Sequence, residues 1–458
     1  MLKANWIVPS YLSKKVCPLF RKDFTVSKRV KSAFLHITAR GVYEARLNSR
    51  RVGDFVMAPG WTSYHNRIQV QTYDVTELLG EDNVLILELA EGWFWRLKNK
   101  KPKAIIAELH IVYADGSEEY IGTDESWIVA KSNLRFCHLY NGIKYNAALA
   151  PVFKYRAKIA KDNSQALLVS QQGETVKEQE RLKVKDVFVT PKGETVLDFG
   201  QNMTGYLEFT VDAKAGDKAS FSFAEILDKD GNFYNENYRK AKAIYEYICK
   251  DGVQTYKPNL TFYGFRYVRV DSYPTEIRPE NFTAIVVHSD MKRTGYIESS
   301  DAMLNQLFSN IIWGQKGNFL DIPTDCPQRD ERLGWTGDAQ VFARTASTTY
   351  RTDKFFKKWL HDLACDQREN GAITDVCPDL LRWESHGSSA WADAIVVVTY
   401  WVYRTYGDTQ VIKDQFDAMK KWILFMEANR SRKSLERCLL NGSFRVIGLR
   451  RNKFGIKF

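Results

Sequence analysis

The chain carries seven cysteines, an odd number, and no CxxC pair. Neither a disulfide framework nor a zinc site is indicated. No apolar run approaches the ~18 residues a membrane-crossing helix needs. The opening MLKANWIVPS lacks the apolar core of a signal peptide. A soluble, cytoplasmic protein is the expectation. Strong charge imbalance is also missing from most of the chain. The formal net charge is +11, but residues 431–458 hold eight Lys/Arg and one acid, +7, leaving +4 for the first 430 residues. A basic tail is weak ground for nucleic-acid binding, and none is expected.

What is there is a large globular chain. Its 458 residues are 44% hydrophobic and 13% aromatic. That suffices for several domains with sizeable cores. Ala33–Ile37, Val42–Leu47, Val84–Leu89 and Ile105–Tyr113 are β-prone runs. Asp115-Gly116 is a hairpin turn signal. An all-β unit over residues 1–175 is expected. A second, 181–292, carries Thr195–Phe199, Tyr206–Val211, Ala219–Glu225 and Phe265–Val270. Near residue 297 the period changes to that of helices. Asp301 or Ser300 can cap a helix with Met303, Leu304, Leu307, Phe308, Ile311 and Ile312 on one face. Further helical patterns cover about 337–350, 353–369, 389–406 and 409–428. Residues 431–458 show no clear helix.

Between the first two helices lies DIPTDCPQRDERLGWTGDAQV, Asp321–Val341. It holds Asp321, Asp325, Asp330, Glu331 and Asp338, with Arg329 and Arg332 and a stacking candidate, Trp335. Charged loops between strong helical patterns are where chemistry is usually placed. Glycosidic cleavage needs one acid to protonate the leaving oxygen and a carboxylate that attacks the sugar or activates water. Crowding by Asp330, Asp325 and Asp338 could keep a proton on Glu331. The arginines oppose this unless each is paired with another carboxylate. A solvated turn, or an Arg–Asp lattice locking two helices, is the bland alternative.

PTDCPQRDERLGWTGDAQ resembles the signature of bacterial α-L-rhamnosidases of glycoside hydrolase family 78. ARGVYEARLNSRRVGDFVMAPGWTSYHNRIQVQTYDVT resembles that family's N-terminal β domain. DFGQNMTGYLEF, FAEILDKDGNFY and FYGFRYVRV resemble its next β-sandwich. The resemblance runs over about residues 30–430. It implies two β-sandwich or jelly-roll-like domains followed by the first part of an (α/α)6 barrel, 295–430. It also implies inverting hydrolysis of terminal α-L-rhamnosides without metal or organic cofactor.

In the matching positions Glu331 would be the general acid, and Asp325 and Asp338 would hold sugar hydroxyls. Arg329 and Trp335 would line the same subsite. HGSSAWADA also resembles a family stretch; there Trp391 would wall the sugar pocket, and Asp393 would be a polar contact or a helix-end brace.

Five of the expected twelve helices are seen, and no position matches the family's general base. The chain therefore reads as truncated within the barrel, with impaired turnover. Its open edge is expected to expose Trp401, Trp422 and Phe425, which partner chains or a homo-oligomer would cover. Rhamnose-containing glycosides are the expected partners, with no membrane. A non-catalytic carbohydrate-binding protein built on the β domains is the alternative. A different inverting hydrolase of this barrel type fits the TDCPQRDERLGWTGD string less well.

Overall fold

The computed structural model describes residues 2–11, 16–96, 102–381 and 385–429. The expected basic tail, 431–458, lies outside them. In the first β unit, inward and outward side chains alternate as the pleat requires. Strand Val30–Arg40 buries Ala33, Leu35, Ile37 and Ala39. It pairs antiparallel with Ala104–Tyr113, Leu35 opposite Leu109, and with Ile68–Asp74. Asp82–Ala90 buries Leu85, Leu87 and Leu89 between Pro18–Thr25 and Val42–Leu47. These strands belong to one sheet with twelve strands among the described residues, and Trp6, Phe20 and Trp127 fill its interior.

The second sheet has ten strands. Its longest, Thr195–Ala213, changes register between Asp198 and Met203, where the bulge re-aims the strand. One hairpin departs from the division expected of the sequence. Leu134–His138 and Gly142–Asn146 precede residue 175, yet they hydrogen-bond into this second sheet. Gly142–Asn146 pairs parallel with Ile244–Ile248. Gly142 permits this at φ +86, because a Cβ would meet the Ile244 carbonyl oxygen at 1.8 Å. Alternation marks a strand but not its partner.

The helices are α1 (Ala302–Asn318), α2 (Thr336–Thr349), α3 (Asp353–Cys365), α4 (Ala394–Tyr406) and α5 (Thr409–Ala428). Asp301 caps α1 by accepting the Met303 N–H at 2.8 Å. Asp408 caps α5 through the N–H groups of Gln410 and Val411. Helix α4 packs against α2, α3 and α5, while α1 leans on strands Thr195–Ala213 and Phe282–Ser289. The fold is thus β units followed by helices. Helix α4 starts at 394, not 389, because the Asp393 carboxylate takes the Ala390 N–H at 2.9 Å and holds 389–393 in turns.

The apolar face of α1 is only partly covered. Ile312 is buried, but Met303, Leu304 and Leu307 are 80%, 52% and 54% exposed. The helices' apolar exposure continues at Val341, Phe416, Ile423 and Leu424. Trp422, expected at an open edge, is instead buried in the α4–α5 seam, where its indole N–H donates to Asp393. No helix among the described residues is long and apolar enough to cross a membrane.

Candidate active site

The charged loop begins with Phe319–Leu320 and Ile322–Pro323, a tight antiparallel pair turning at Asp321, φ +68. That turn points the Asp321 side chain away from the other four acids. Its Oδ2 accepts from Lys358 Nζ of α3 at 2.9 Å, with both side chains 2% exposed, and from the Trp61 backbone N–H. Lys358 also donates to the Trp61 carbonyl and lies 3.6 Å from Asp362 Oδ2. Arg67 Nε reaches Asp362 Oδ1 at 3.4 Å. Asp321 therefore joins the first β unit to the helices.

From Asp325 the chain makes a closed excursion. The Asp325 N–H donates to the Leu333 carbonyl at 2.8 Å, and the Leu333 N–H donates back to Asp325 Oδ1 at 2.7 Å. The pin of this loop is Arg332, fully buried between the Tyr140 and Phe262 rings. Its guanidinium donates to the carbonyls of Leu139, Phe262, Gln328 and Arg329. Carbonyl dipoles, rather than a carboxylate, offset the cost of burying that charge, and burial pushes its pKa down.

Arg329 stays with the acids. Nη2 meets Asp325 Oδ2 and Nε meets Glu331 Oε2, each at 3.1 Å. A third arginine, unforeseen from the sequence, comes from the second β unit. Arg239 Nε binds Asp330 Oδ1 at 2.7 Å and Nη2 binds Glu331 Oε2 at 2.9 Å. On Glu331 Oε1 the Trp335 indole N–H donates at 2.9 Å. The Tyr140 hydroxyl donates to the Glu331 backbone carbonyl at 2.6 Å. Glu331 is thus fixed by the second sheet, through Arg239 and Tyr140, by Arg329 of its own loop and by the residue preceding α2. The signal that could have found Arg239 is charge: five acids against two arginines leave the loop short of cations.

Beside this cluster opens a cavity of about 600 Å³, within the usual range for small-ligand sites. Asp325, Asp338, Trp391, Asn318 and Thr324 are among the residues lining it. Burial raises the Asp338 carboxyl above the ordinary range, and the nearby Glu331 charge adds to this. Asp325 is raised for the same first reason; the Cys326 thiol, the Leu333 N–H and Arg329 act against it. Trp391 lies against Gly337, where a Cβ would come within 2.8 Å of the indole Nε1. The turn before Trp391 is held by Asp375, which accepts from the Ser388 hydroxyl at 2.7 Å.

Asp393 sits one groove away, with Gln340, Val341 and Trp422. Its Oδ1 takes the Trp422 indole N–H at 3.0 Å and its Oδ2 takes the Ala390 N–H, so both oxygens brace α4 to α5.

Donor atoms of Asp325, Cys326 and Glu331 fall within 4.8 Å of one another. The Arg329 guanidinium already bridges the two carboxylates there, and burial raises the Cys326 thiol. We read the group as an ion-pair cluster rather than a metal centre. One part of the cluster lies on the carboxyl-bearing loop, another on the β units, and Asp338 on the first turn of α2. The structure brings Asp325, Arg329, Glu331 and Trp335 together, and adds Arg239, Tyr140 and Glu225, which the sequence did not single out. Burial raises Glu225, and Asn202 donates to its Oε1 at 3.1 Å.

The architecture is a multidomain one, β units leading into helices, with acids at the junction. Three family models match in succession: the bacterial α-L-rhamnosidase N-terminal domain (28–186), its concanavalin-like domain (188–288) and its six-hairpin glycosidase domain (292–440). The chain belongs to the bacterial α-L-rhamnosidase family. The last match runs to 440, beyond residue 430, where the resemblance in the sequence was drawn to a close.

An α-L-rhamnosidase of Streptomyces avermitilis is 40% identical over 419 residues, 87% of this chain and 41% of that protein. One from Formosa agariphila is 36% identical, over 89% and 46%. The chain spans about half the length of the curated relatives it matches. Among solved structures, the Aspergillus terreus enzyme superposes with a TM-score of 0.87 at 36% identity, covering 92% of this chain and 52% of that one. The Streptomyces avermitilis enzyme, solved with L-rhamnose, gives 0.86 at 38%, covering 91% and 42%.

Proposed function

We propose that this chain carries the acid side of an inverting α-L-rhamnoside hydrolase, with Glu331 as general acid. The observation that carries the reading is the convergence on Glu331 of Arg239, Arg329 and the Trp335 indole beside a cavity walled by Asp325, Asp338 and Trp391. Two guanidiniums occupy Oε2, so the transferable proton belongs on Oε1. As the bond from the anomeric carbon to the leaving oxygen breaks, Oε1 gives its proton to that oxygen. Water attacks from the opposite face and loses its proton to a second carboxylate, usually ~6.5–9.5 Å from the acid in inverting enzymes.

Asp325 and Asp338 accept hydrogen bonds from sugar hydroxyls. Trp391 offers an apolar face to the ring, and Arg329 and Trp335 border the same subsite. Asp393 acts through the α4–α5 brace. The base is assigned to the part of the relatives' length that this chain does not span, so turnover by this chain is impaired. A terminal rhamnoside is the favoured substrate, because the relatives bear that activity in their names and one was solved with L-rhamnose.

A chromogenic α-L-rhamnoside tests both parts. Little or no turnover is expected. Clear turnover that vanishes in Glu331→Gln would keep the acid and overturn the impairment. Clear turnover unchanged in Glu331→Gln would remove Glu331 from the reaction.

A further inference from the structure

The second β unit reaches the Glu331 carboxyl through Arg239. We propose that Arg239 is a positioning residue for the Glu331 carboxyl, acting as a strap from the second β unit to the helical unit.

Arg239 ends a short turn, Glu236–Tyr238, and its own φ is +57. A non-glycine residue in that region costs energy and persists only where its surroundings enforce it. Here they do. Tyr238 is fully buried with its hydroxyl on the Gly264 carbonyl, and the Arg239 N–H closes the turn on Glu236 at 3.0 Å. The strained backbone aims the guanidinium at two carboxylates in the other unit. Side-chain exposure is 50% for Arg239 but 21% for Asp330 and 19% for Glu331, so the arginine covers both acids on the solvent side.

An arginine this exposed normally keeps its rotamer freedom. Ordering it against two partners is best explained by what it orders. With Oε2 held by Arg239 and Arg329, the carboxyl cannot rotate freely, and Oε1 stays where the Trp335 indole marks it.

The charged and titratable groups facing Glu331 include Arg239 from the second β unit; Asp325, Cys326, Arg329 and Asp330 from the loop; and Asp338 from α2. The Tyr140 hydroxyl donates to its backbone carbonyl. Removing Arg239 takes away one of the guanidiniums that hold Oε2, so the carboxyl gains freedom to turn and the Trp335 indole N–H loses a fixed acceptor. A side chain that merely joined two units would leave the Trp335–Glu331 hydrogen bond where it was.

The inference rests on Glu331 as the acid, but its test does not need turnover. The full chain is labelled with ¹⁵N at tryptophan, and the Trp335 indole resonance is assigned by its loss in Trp335→Phe. In Arg239→Gln that resonance should move toward its position in Glu331→Gln, because the carboxyl that accepts from the indole is no longer held. Arg239→Lys, which keeps the charge and loses the fork, should move it part of the way. An unmoved resonance in a natively folded Arg239→Gln overturns the proposal. Should that variant not fold, a wild-type resonance in Arg239→Lys overturns it. A moved resonance in a chain whose turnover ignores Glu331→Gln would keep the strap and discard the acid.

Discussion

Replacing Lys358 with methionine should unfasten the candidate site without touching it. Lys358 Nζ is the cation of a buried network: 2.9 Å from Asp321 Oδ2, 3.6 Å from Asp362 Oδ2, and bonded to the Trp61 carbonyl. Methionine fills similar volume but leaves Asp321 with the Trp61 N–H alone. Asp362 keeps Arg67 at 3.4 Å and the Ser63 N–H at 3.1 Å, so the main uncompensated charge is Asp321. Breaking a buried pair from one side costs about 3–5 kcal/mol. That is a large share of the ~5–15 kcal/mol that holds a domain together.

Urea unfolding followed by tryptophan fluorescence should show the first transition moved to lower denaturant by that amount. Lys358→Met combined with Asp321→Asn should recover most of the loss, because neither charge then stays buried alone. A loss under about 1 kcal/mol in the single variant, or none recovered in the double, would refute this account of the network.

Three further outcomes follow from the geometry. Gly337→Ala places a methyl where the Trp391 indole lies and should weaken L-rhamnose binding by roughly tenfold, about 1.4 kcal/mol, read by calorimetry. Arg332→Lys loses the fork that reaches four carbonyls and should lower stability by about 2–3 kcal/mol in a denaturant titration. Asp366, half-buried with the Ser63 hydroxyl and the Asp379 N–H on its carboxyl, is raised to about 7, chiefly by burial. A carboxyl raised in the folded state binds its proton more tightly there, so its contribution is present below about pH 4 and is lost as pH rises toward 7. Asp366→Asn should therefore melt higher than wild type at pH 8, with the difference shrinking toward pH 5.

Local features were legible in the sequence wherever their cause was local. Asp301 before an apolar run gave the α1 cap, and Asp115-Gly116 gave the turn between Ala104–Tyr113 and Glu118–Gly122. The loop's chemistry was legible because Asp325, Arg329, Glu331 and Trp335 close on one another within a few residues. What stayed hidden depends on distant partners. Arg239 meets Asp330 across 91 positions, and Asp321 left the acid cluster for Lys358 because of a positive-φ turn that no period announces. The hairpin at Gly142 alternates like its neighbours and changes sheet only through its pairing with Ile244–Ile248. An apolar stripe does not say which of its turns meets another element: on α1 Ile312 is buried while Met303, Leu304 and Leu307 stay exposed.

Saturation-transfer NMR with L-rhamnose reads weak binding and is the most direct test of the site. The account predicts transfer to the ring protons from the wild-type chain, and its loss in both Asp338→Ala and Trp391→Ala while the fold persists. Transfer of equal strength from those two variants, or none from the wild-type chain, would contradict it.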